Sequence, residues 1–265
     1  MQRFNRLLFV TPLVVLVLMF GAVSLSMAQE EPTAMEVARS NNPIADMRAL
    51  NIQDYYIPKL YGLDDEIANT FWVRAVYPTG PILWRASMPL KTVPTAMEPA
   101  SGLGDIDVFA AYLAVNKPTL TVGIGPQIVF PTASEDALGT GKWQLGVAAV
   151  VYGIVVPQWQ LGGLVTWQTS IAGDENRDDT SVLAAQPFSI WQLGGGTYLR
   201  TAPIWVFDLK SGDYHIPLGF GIGQVVKVNK TVFNIFIEPQ FTILHSGVGQ
   251  PAFQIYTGCN MQFIK

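Results

Sequence analysis

Apolar and polar side chains alternate with a period of two residues along most of this chain, and the pattern is clearest between residues 119 and 130. One parity of this stretch is bulky and apolar, namely Leu120, Val122, Ile124, Pro126, Ile128 and Phe130. The other parity is small or polar, with Val129 as its one bulky apolar member. Because successive side chains of a strand point to opposite faces, the pattern predicts a β-strand with one apolar face. The second face carries no charge, which suits the crowded, wet interior of a transmembrane barrel.

The same alternation recurs through the chain and sets the number of strands. Eleven strands are predicted from Phe71 onward, and a weaker one covers residues 49–57. Short turns such as residues 78–81 alternate with long loops such as residues 133–142. Bacterial barrels place short turns on the periplasmic side and have an even number of strands, so the weak strand is needed as the first upward strand. The sequence predicts an all-β fold, a transmembrane antiparallel up-and-down β-barrel of about twelve strands over residues 48–265.

A secreted sandwich of two sheets is the alternative interpretation of this alternation. Aromatic residues near the predicted strand ends favour the barrel, because outer-membrane barrels carry aromatic girdles at both interfaces. These residues are Tyr77, Trp84, Trp143, Trp159, Trp205 and Tyr214. The long apolar faces of the strands also argue against a soluble sandwich.

The beginning of the chain predicts export. Arg3 and Arg6 precede the apolar run Leu7–Leu25, and small residues at Ser26 and Ala28 follow it, which is the pattern of a cleaved signal peptide over residues 1–28. The run is long enough for an uncleaved anchor helix, but Pro12 and the small residues favour cleavage. Residues 29–47 are polar and form a predicted periplasmic lead-in, which either hangs free or folds into the barrel.

Composition supports a membrane protein. Charged residues make up only 14% of the 265 residues and hydrophobic ones 49%, whereas a soluble domain has about 25% charged residues. After Ala28 no apolar run reaches the length of a membrane-spanning helix, which leaves a closed barrel in the outer membrane of a Gram-negative bacterium. The single cysteine, Cys259, excludes a disulfide framework, and its parity fits a lipid-facing or packed side chain.

The expected partners follow from this location. They are outer-membrane lipid, lipopolysaccharide and, during insertion, the barrel-assembly machinery. A net charge of −4 provides no basic footprint for nucleic acid.

Several short strings resemble a known family. They are Asn42–Asp46, Gly102–Ile106, Gly125–Pro126, Pro131–Ala133, Leu138–Trp143, Ala172–Asp174 and Gln186–Phe188. Together they are similar to a family of bacterial outer-membrane proteins named for the MetA pathway of phenol degradation, whose members are also called transporters or neuromedin U. The resemblance extends from Asn42 to the C-terminus, with Cys259-Asn260 departing from a usually aliphatic last strand. It implies a barrel fold and transport of small hydrophobic or aromatic molecules.

Polar residues on the predicted inner faces are the candidates for a functional role. They are Arg74, Arg85, Arg200, His215, Glu238, Gln127 and Gln168. Charged side chains inside a barrel can set the selectivity for a permeant. They can equally form a hydrogen-bonded ionic plug, since unpaired charges in a confined lumen are costly. A lumen of about twelve strands is narrow, so any pore is expected to be tight or gated.

Catalytic and metal-binding roles are not favoured. The two histidines, His215 and His245, have no nucleophile motif around them, so no enzyme activity and no cofactor are predicted. Asp174, Asn176 and Asp178 stand at alternate positions as in a calcium loop, but the glycine expected next is replaced by Asp179. A solvated extracellular acidic loop is the favoured interpretation, and bridging of lipopolysaccharide phosphates by divalent cations is the alternative.

The predicted function is facilitated passage of a small molecule across the outer membrane. The alternative is a closed barrel with a structural or surface-interaction role through its loops. A lipid-acting barrel enzyme is the third and least favoured hypothesis.

Overall fold

The computed structural model describes residue 32, residues 34–43 and residues 45–264. The predicted signal peptide, residues 1–28, lies outside these residues. None of the helices in the described ranges is both long enough and apolar enough to cross a membrane.

Fifteen strand segments form one antiparallel sheet that closes into a barrel. They are β1 (Arg48–Leu60), β2 (Ala68–Thr79), β3 (Ile82–Val93), β4 (Ala100–Leu103), β5 (Ile106–Lys117), β6 (Leu120–Phe130), β7 (Lys142–Val156), β8 (Trp159–Gly173), β9 (Ser181–Gly194), β10 (Thr197–Thr201), β11 (Trp205–Asp208), β12 (Tyr214–Gly219), β13 (Gly221–Val228), β14 (Thr231–Ser246) and β15 (Pro251–Phe263). A short helix, α1 (Ala34–Ser40), precedes the barrel, and a 3-10 turn lies at Asp136–Leu138.

These segments amount to twelve barrel strands, because three strands are interrupted. The interrupted strands are the pairs β4 and β5, β10 and β11, and β12 and β13, each of which continues in one direction with a short break. The barrel closes where β1 pairs with β15, from Arg48 opposite Phe263 to Leu60 opposite Pro251. The prediction of about twelve strands is confirmed, and the weak strand over residues 49–57 is the closing strand β1.

The two ends of the barrel differ in their connections. The short-turn end carries five tight turns, at residues 80–81, 118–119, 157–158, 195–196 and 229–230. The long-loop end carries the remaining connections, including the loop at residues 131–141 between β6 and β7.

The faces of β6 agree with its alternation. Leu120 and Ile124 point outward and are exposed, whereas Gln127 and Val129 point into the barrel and are buried. The inner faces are not polar throughout. Strands β2 to β8 enclose an apolar cluster that includes Leu83, and its other buried members are Val76, Phe109, Ala111, Leu113, Ala148, Val150 and Leu164. Part of the lumen is therefore a packed core.

One stretch of the wall lacks ladder pairing. Arg200 pairs with Gly221 and Val206 pairs with His215, but the residues between these two pairs form no ladder pairs with each other. Pro203 has no N–H to donate, which accounts for part of the interruption. The indole N–H of Trp205 donates to the carbonyl of Pro217 at 3.1 Å and bridges the interval.

A buried tyrosine depends on a glycine of the neighbouring strand. Tyr198 on β10 is fully buried and stands opposite Gly223 on β13. A Cβ atom at position 223 would overlap the phenol ring of Tyr198. The glycine therefore lets the ring lie flat against the inner wall.

We expect Gly223→Ala to destabilise the barrel by about 2 kcal/mol, because the added methyl group displaces the Tyr198 ring. The measurement is urea unfolding of the refolded protein in lipid vesicles. Gly153→Ala is the matched control, since a Cβ at that position meets no atom closer than 3.9 Å. Equal stability of the two variants would contradict the packing role of Gly223.

Candidate functional site

A cavity of about 400 Å³ lies inside the barrel. Its wall on β1 to β3 is polar and includes Asn51, Gln53, Arg74 and Arg85. The opposite wall, on β8 and β9, is uncharged and mixes apolar with neutral polar side chains; they are Leu164, Ala184, Phe188 and Ile190, and Thr166, Gln168 and Gln186. The cavity is thus amphipathic, with cationic side chains on one wall and uncharged, partly apolar side chains on the other.

Arg74 and Arg85 lie on the polar wall and are held by aromatic rings. The guanidinium of Arg74 lies 4.3 Å from the centroid of the Trp72 ring, and its Nη1 donates to the side-chain oxygen of Gln53. The guanidinium of Arg85 lies 4.3 Å from the ring centroid of Phe109. The Nε atoms of both arginines are buried without a protein hydrogen-bond partner. Stacking fixes the planes of both cations and leaves donors free.

Arg200 and Glu238 form a neutral pair. Nε of Arg200 lies 2.7 Å from Oε2 of Glu238, whose side chain is fully buried. The other carboxylate oxygen accepts the backbone N–H of Ala202 at 2.9 Å and Nε2 of Gln240 at 2.8 Å. Arg200 also stacks on Phe236, with 3.6 Å between its Cζ and the ring centroid. The carboxylate is fully used within the wall, and it anchors the backbone where β10 ends.

Gln127 and Gln168 meet across an intervening strand. Nε2 of Gln127 donates to Oε1 of Gln168 at 2.8 Å. Both residues pair with Gly146 of β7 in the ladders on either side of it. Because Gly146 has no side chain, the two amides can join above it in the lumen.

His215 lies apart from the residues that line the cavity. It stands opposite His245 in the ladder between β12 and β14, at the long-loop end. Nδ1 of His215 is buried without a protein hydrogen-bond partner, and the ring of His245 stacks on Tyr61 at 3.5 Å. The stacking of His245 on Tyr61 is not the hydrogen bond that would orient a histidine toward a serine nucleophile, and Nδ1 of His215 makes no such bond.

Helix α1 lies inside the lumen at the short-turn end. Val37 packs within a buried cluster of the inner wall, with Tyr152, Phe188, Ile190, Tyr198, Ala202, Val225 and Val232. The sequence left open whether the lead-in hangs free or folds inward, and the described part of it folds inward.

Side chains of the wall cap the end of α1. The hydroxyl of Tyr152 donates to the carbonyl of Ala38 at 2.8 Å. Gln262 donates to the carbonyl of Arg39 at 3.1 Å, and Asn234 donates to the carbonyl of Ser40 at 2.9 Å. The last carbonyls of a helix have no partner within it, so these donors fix α1 in place. Sequence reasoning missed this cap; its only signal was polar residues of inner parity close to short turns.

Asp105 organises the long-loop end. Its carboxylate accepts the backbone N–H groups of Ala133, at 3.2 Å, and Thr140, at 2.7 Å, and the Thr140 hydroxyl at 3.0 Å. From the next loop, Arg177 donates to the carbonyls of Asp136 at 2.9 Å and Gly139 at 2.6 Å. Three of the strings that carry the family resemblance therefore meet at Asp105 and have an architectural use.

The acidic loop after β8 is tied to its own backbone and to β7. Oδ1 of Asp174 accepts the backbone N–H of Asn176 at 2.9 Å, and this bond lowers the pKa of Asp174. Asp179 lies 3.3 Å from Nζ of Lys142, which lowers the pKa of the Asp179 carboxyl. Across the described ranges, no group of three or more histidine, cysteine, aspartate or glutamate side chains could hold a metal ion.

Comparison with known proteins identifies relatives by fold. No protein-family model matches the chain, and no curated protein matches it. An outer membrane channel from Pseudomonas putida F1 aligns with a TM-score of 0.58 at 12% identity, over 84% of this chain and 97% of that chain. The NanC porin aligns with a TM-score of 0.52 at 12% identity, over 82% of this chain and 100% of that chain. At such identities the likeness shows a shared barrel fold.

We expect Glu238→Gln to destabilise the barrel by about 3 kcal/mol, because the charge of Arg200 is left buried without its counter-ion. Unfolding in urea, followed by tryptophan fluorescence in vesicles, measures the loss. Asp136→Asn breaks an ion pair to Arg177 whose carboxylate is fully solvent-exposed, and it should leave the midpoint unchanged. A Glu238→Gln midpoint equal to that of wild type would show that the pair contributes nothing.

Proposed function

We propose that this protein is a channel for small molecules in the bacterial outer membrane. The observation that carries the proposal is the amphipathic cavity inside a closed barrel of twelve strands. The outer surface supports the location, because large apolar side chains such as Ile124, Phe241 and Ile243 are exposed on it and suit lipid contact. The two barrels with a similar fold are described as an outer membrane channel and a porin.

The permeant class follows from the cavity and from the family resemblance. The apolar wall with Leu164, Phe188 and Ile190 favours solutes with a hydrophobic or aromatic body over sugars. The resemblance to proteins named for phenol degradation agrees with that choice.

Passage through the lumen requires α1 to move. The helix is held at the short-turn end by the packing of Val37 and by the wall side chains that donate hydrogen bonds to its last carbonyls. These contacts also favour the second candidate function, a permanently closed barrel with a structural role. The two candidates differ in whether displacement of α1 opens a path.

We expect Val37→Asp to raise the flux of benzamide through liposomes containing the refolded protein roughly tenfold or more, because a carboxylate cannot be buried in the apolar cluster and α1 is expelled. Solute efflux, followed by light scattering, measures the change. Arg39→Asp is the control, since it places the same carboxylate on an exposed position of the same helix.

Two outcomes would reject the channel. Flux that stays at the level of empty liposomes, with Val37→Asp protein whose heat-dependent gel mobility shows a folded barrel, would favour the closed barrel. An equal rise for Arg39→Asp would show that displacement of α1 from the cluster is not the cause.

A further inference from the structure

We propose that the cavity contains a binding site for the carboxylate of a small organic anion, formed by the guanidinium groups of Arg74 and Arg85. The inference rests on the proposed channel function, because it names the chemical class of solute that the same cavity takes. Charge selects the solute in addition to its apolar body.

Arg74 and Arg85 supply buried N–H donors that have no acceptor within the protein. Arg74 gives one hydrogen bond, to the amide oxygen of Gln53, and its Nε has no protein acceptor. Nε of Arg85 is likewise buried without an acceptor. Within residues 34–43 and 45–264, neither arginine forms an ion pair. Buried N–H groups of native proteins are nearly always hydrogen bonded, so this pair of cations is suited to an acceptor from outside the chain.

The charges around Arg74 and Arg85 do not balance. The carboxylate of Asp107 on β5 attracts both arginines electrostatically, and the two arginines repel each other. Two guanidinium groups opposed by one carboxylate leave one uncompensated positive charge. Arg200 adds none, because Glu238 neutralises it. A bound monoanion would restore neutrality where the solvent around the charges is limited.

The cation at the long-loop edge of the cavity does not change this balance. Lys91 and Asp105 both line that edge of the cavity. The carboxylate of Asp105 attracts the Lys91 ammonium group and compensates its charge. The net positive charge therefore belongs to the pair Arg74 and Arg85.

Aromatic rings hold both guanidinium groups in place before any ligand binds. Trp72 and Phe109 each hold one guanidinium plane, at 4.3 Å from ring centroid to Cζ. Guanidinium groups fixed in this way lose little conformational freedom on binding and present parallel N–H donors that match a carboxylate.

The residues of the opposite wall indicate which organic group the carboxylate is attached to. Leu164, Phe188 and Ile190 line the same cavity on β8 and β9, and a volume of about 400 Å³ accommodates a small ligand. A carboxylate attached to an aromatic ring or short aliphatic chain places its charge on β2 and β3 and its apolar body on β8 and β9. Benzoate is the simplest probe of this class.

The experiment compares benzoate with benzamide, which has the same shape without the charge. Equilibrium binding to the refolded full-length barrel is measured by titration calorimetry. We expect benzoate to bind roughly tenfold more tightly than benzamide, which corresponds to a charge-assisted hydrogen bond. Arg74→Gln and Arg85→Gln should each reduce this preference, and the double variant should abolish it.

Arg48→Gln is the matched control, because it removes the same charge from an exposed arginine that contacts Tyr77 and does not line the cavity. Its preference for benzoate should equal that of wild type. Equal affinities of wild type for benzoate and benzamide would overturn the proposal without the need for any variant. A loss of preference in Arg48→Gln as large as in Arg74→Gln would also overturn it, because the effect would then be one of net charge.

Flux separates this proposal from the channel itself. Efflux of benzamide without any preference for benzoate in binding would leave the channel standing and reject the anion site. Tight, arginine-dependent binding of benzoate without flux of either solute, even in Val37→Asp, would retain the site and reject the channel.

Discussion

Closure of the sheet governs this fold, because a closed sheet has no edge strand and its strands find their backbone hydrogen-bond partners within the protein. The ladder between β1 and β15 closes the sheet by joining the first strand to the last. Once the sheet is closed, each side chain of a strand faces either the outside of the barrel or its lumen, so residue types alternate along the strands. Closure also sets the width of the lumen. With twelve strands the lumen is narrow enough for side chains from different parts of the wall to pack against each other.

A narrow lumen imposes a second condition, since polar groups that enter it must find partners there. The wall meets this condition differently in different places. Near the end of β10, Glu238 accepts from Arg200, from a backbone N–H and from Gln240, which in turn accepts from Gln254. Near the short turns, the donors of the wall bind the carbonyls of α1. Among the residues that the structure describes, Arg74 on β2 and Arg85 on β3 are cations with unused donors, and both line the cavity.

The loops show that a recognisable sequence motif can have a structural role without contributing a functional residue. The strings around Asp105, Ala133 and Thr140 are among the most distinctive of the chain, and their hydrogen bonds to one carboxylate fold the loop between β6 and β7 over the barrel. The functional candidates are arginines in strands whose sequence has no distinctive motif. Resemblance in such strings therefore indicates a common architecture more directly than a common solute.

The sequence by itself determined the barrel, its strand number and the inward position of Arg74, Arg85, Arg200 and Gln127, because alternation is a local property of each strand. The tertiary structure alone decided which of these charges are paired. Glu238 on β14 meets Arg200 on β10 across Gly221 of β13, the strand between them, and Gln127 likewise meets Gln168 across Gly146 of β7. The tertiary structure also decided that α1 enters the lumen. The seven residues of this helix contain no pattern that specifies which strands will donate hydrogen bonds to its end. Partners far apart in sequence are set by the global register of the sheet, and a period of two residues contains no information about that register.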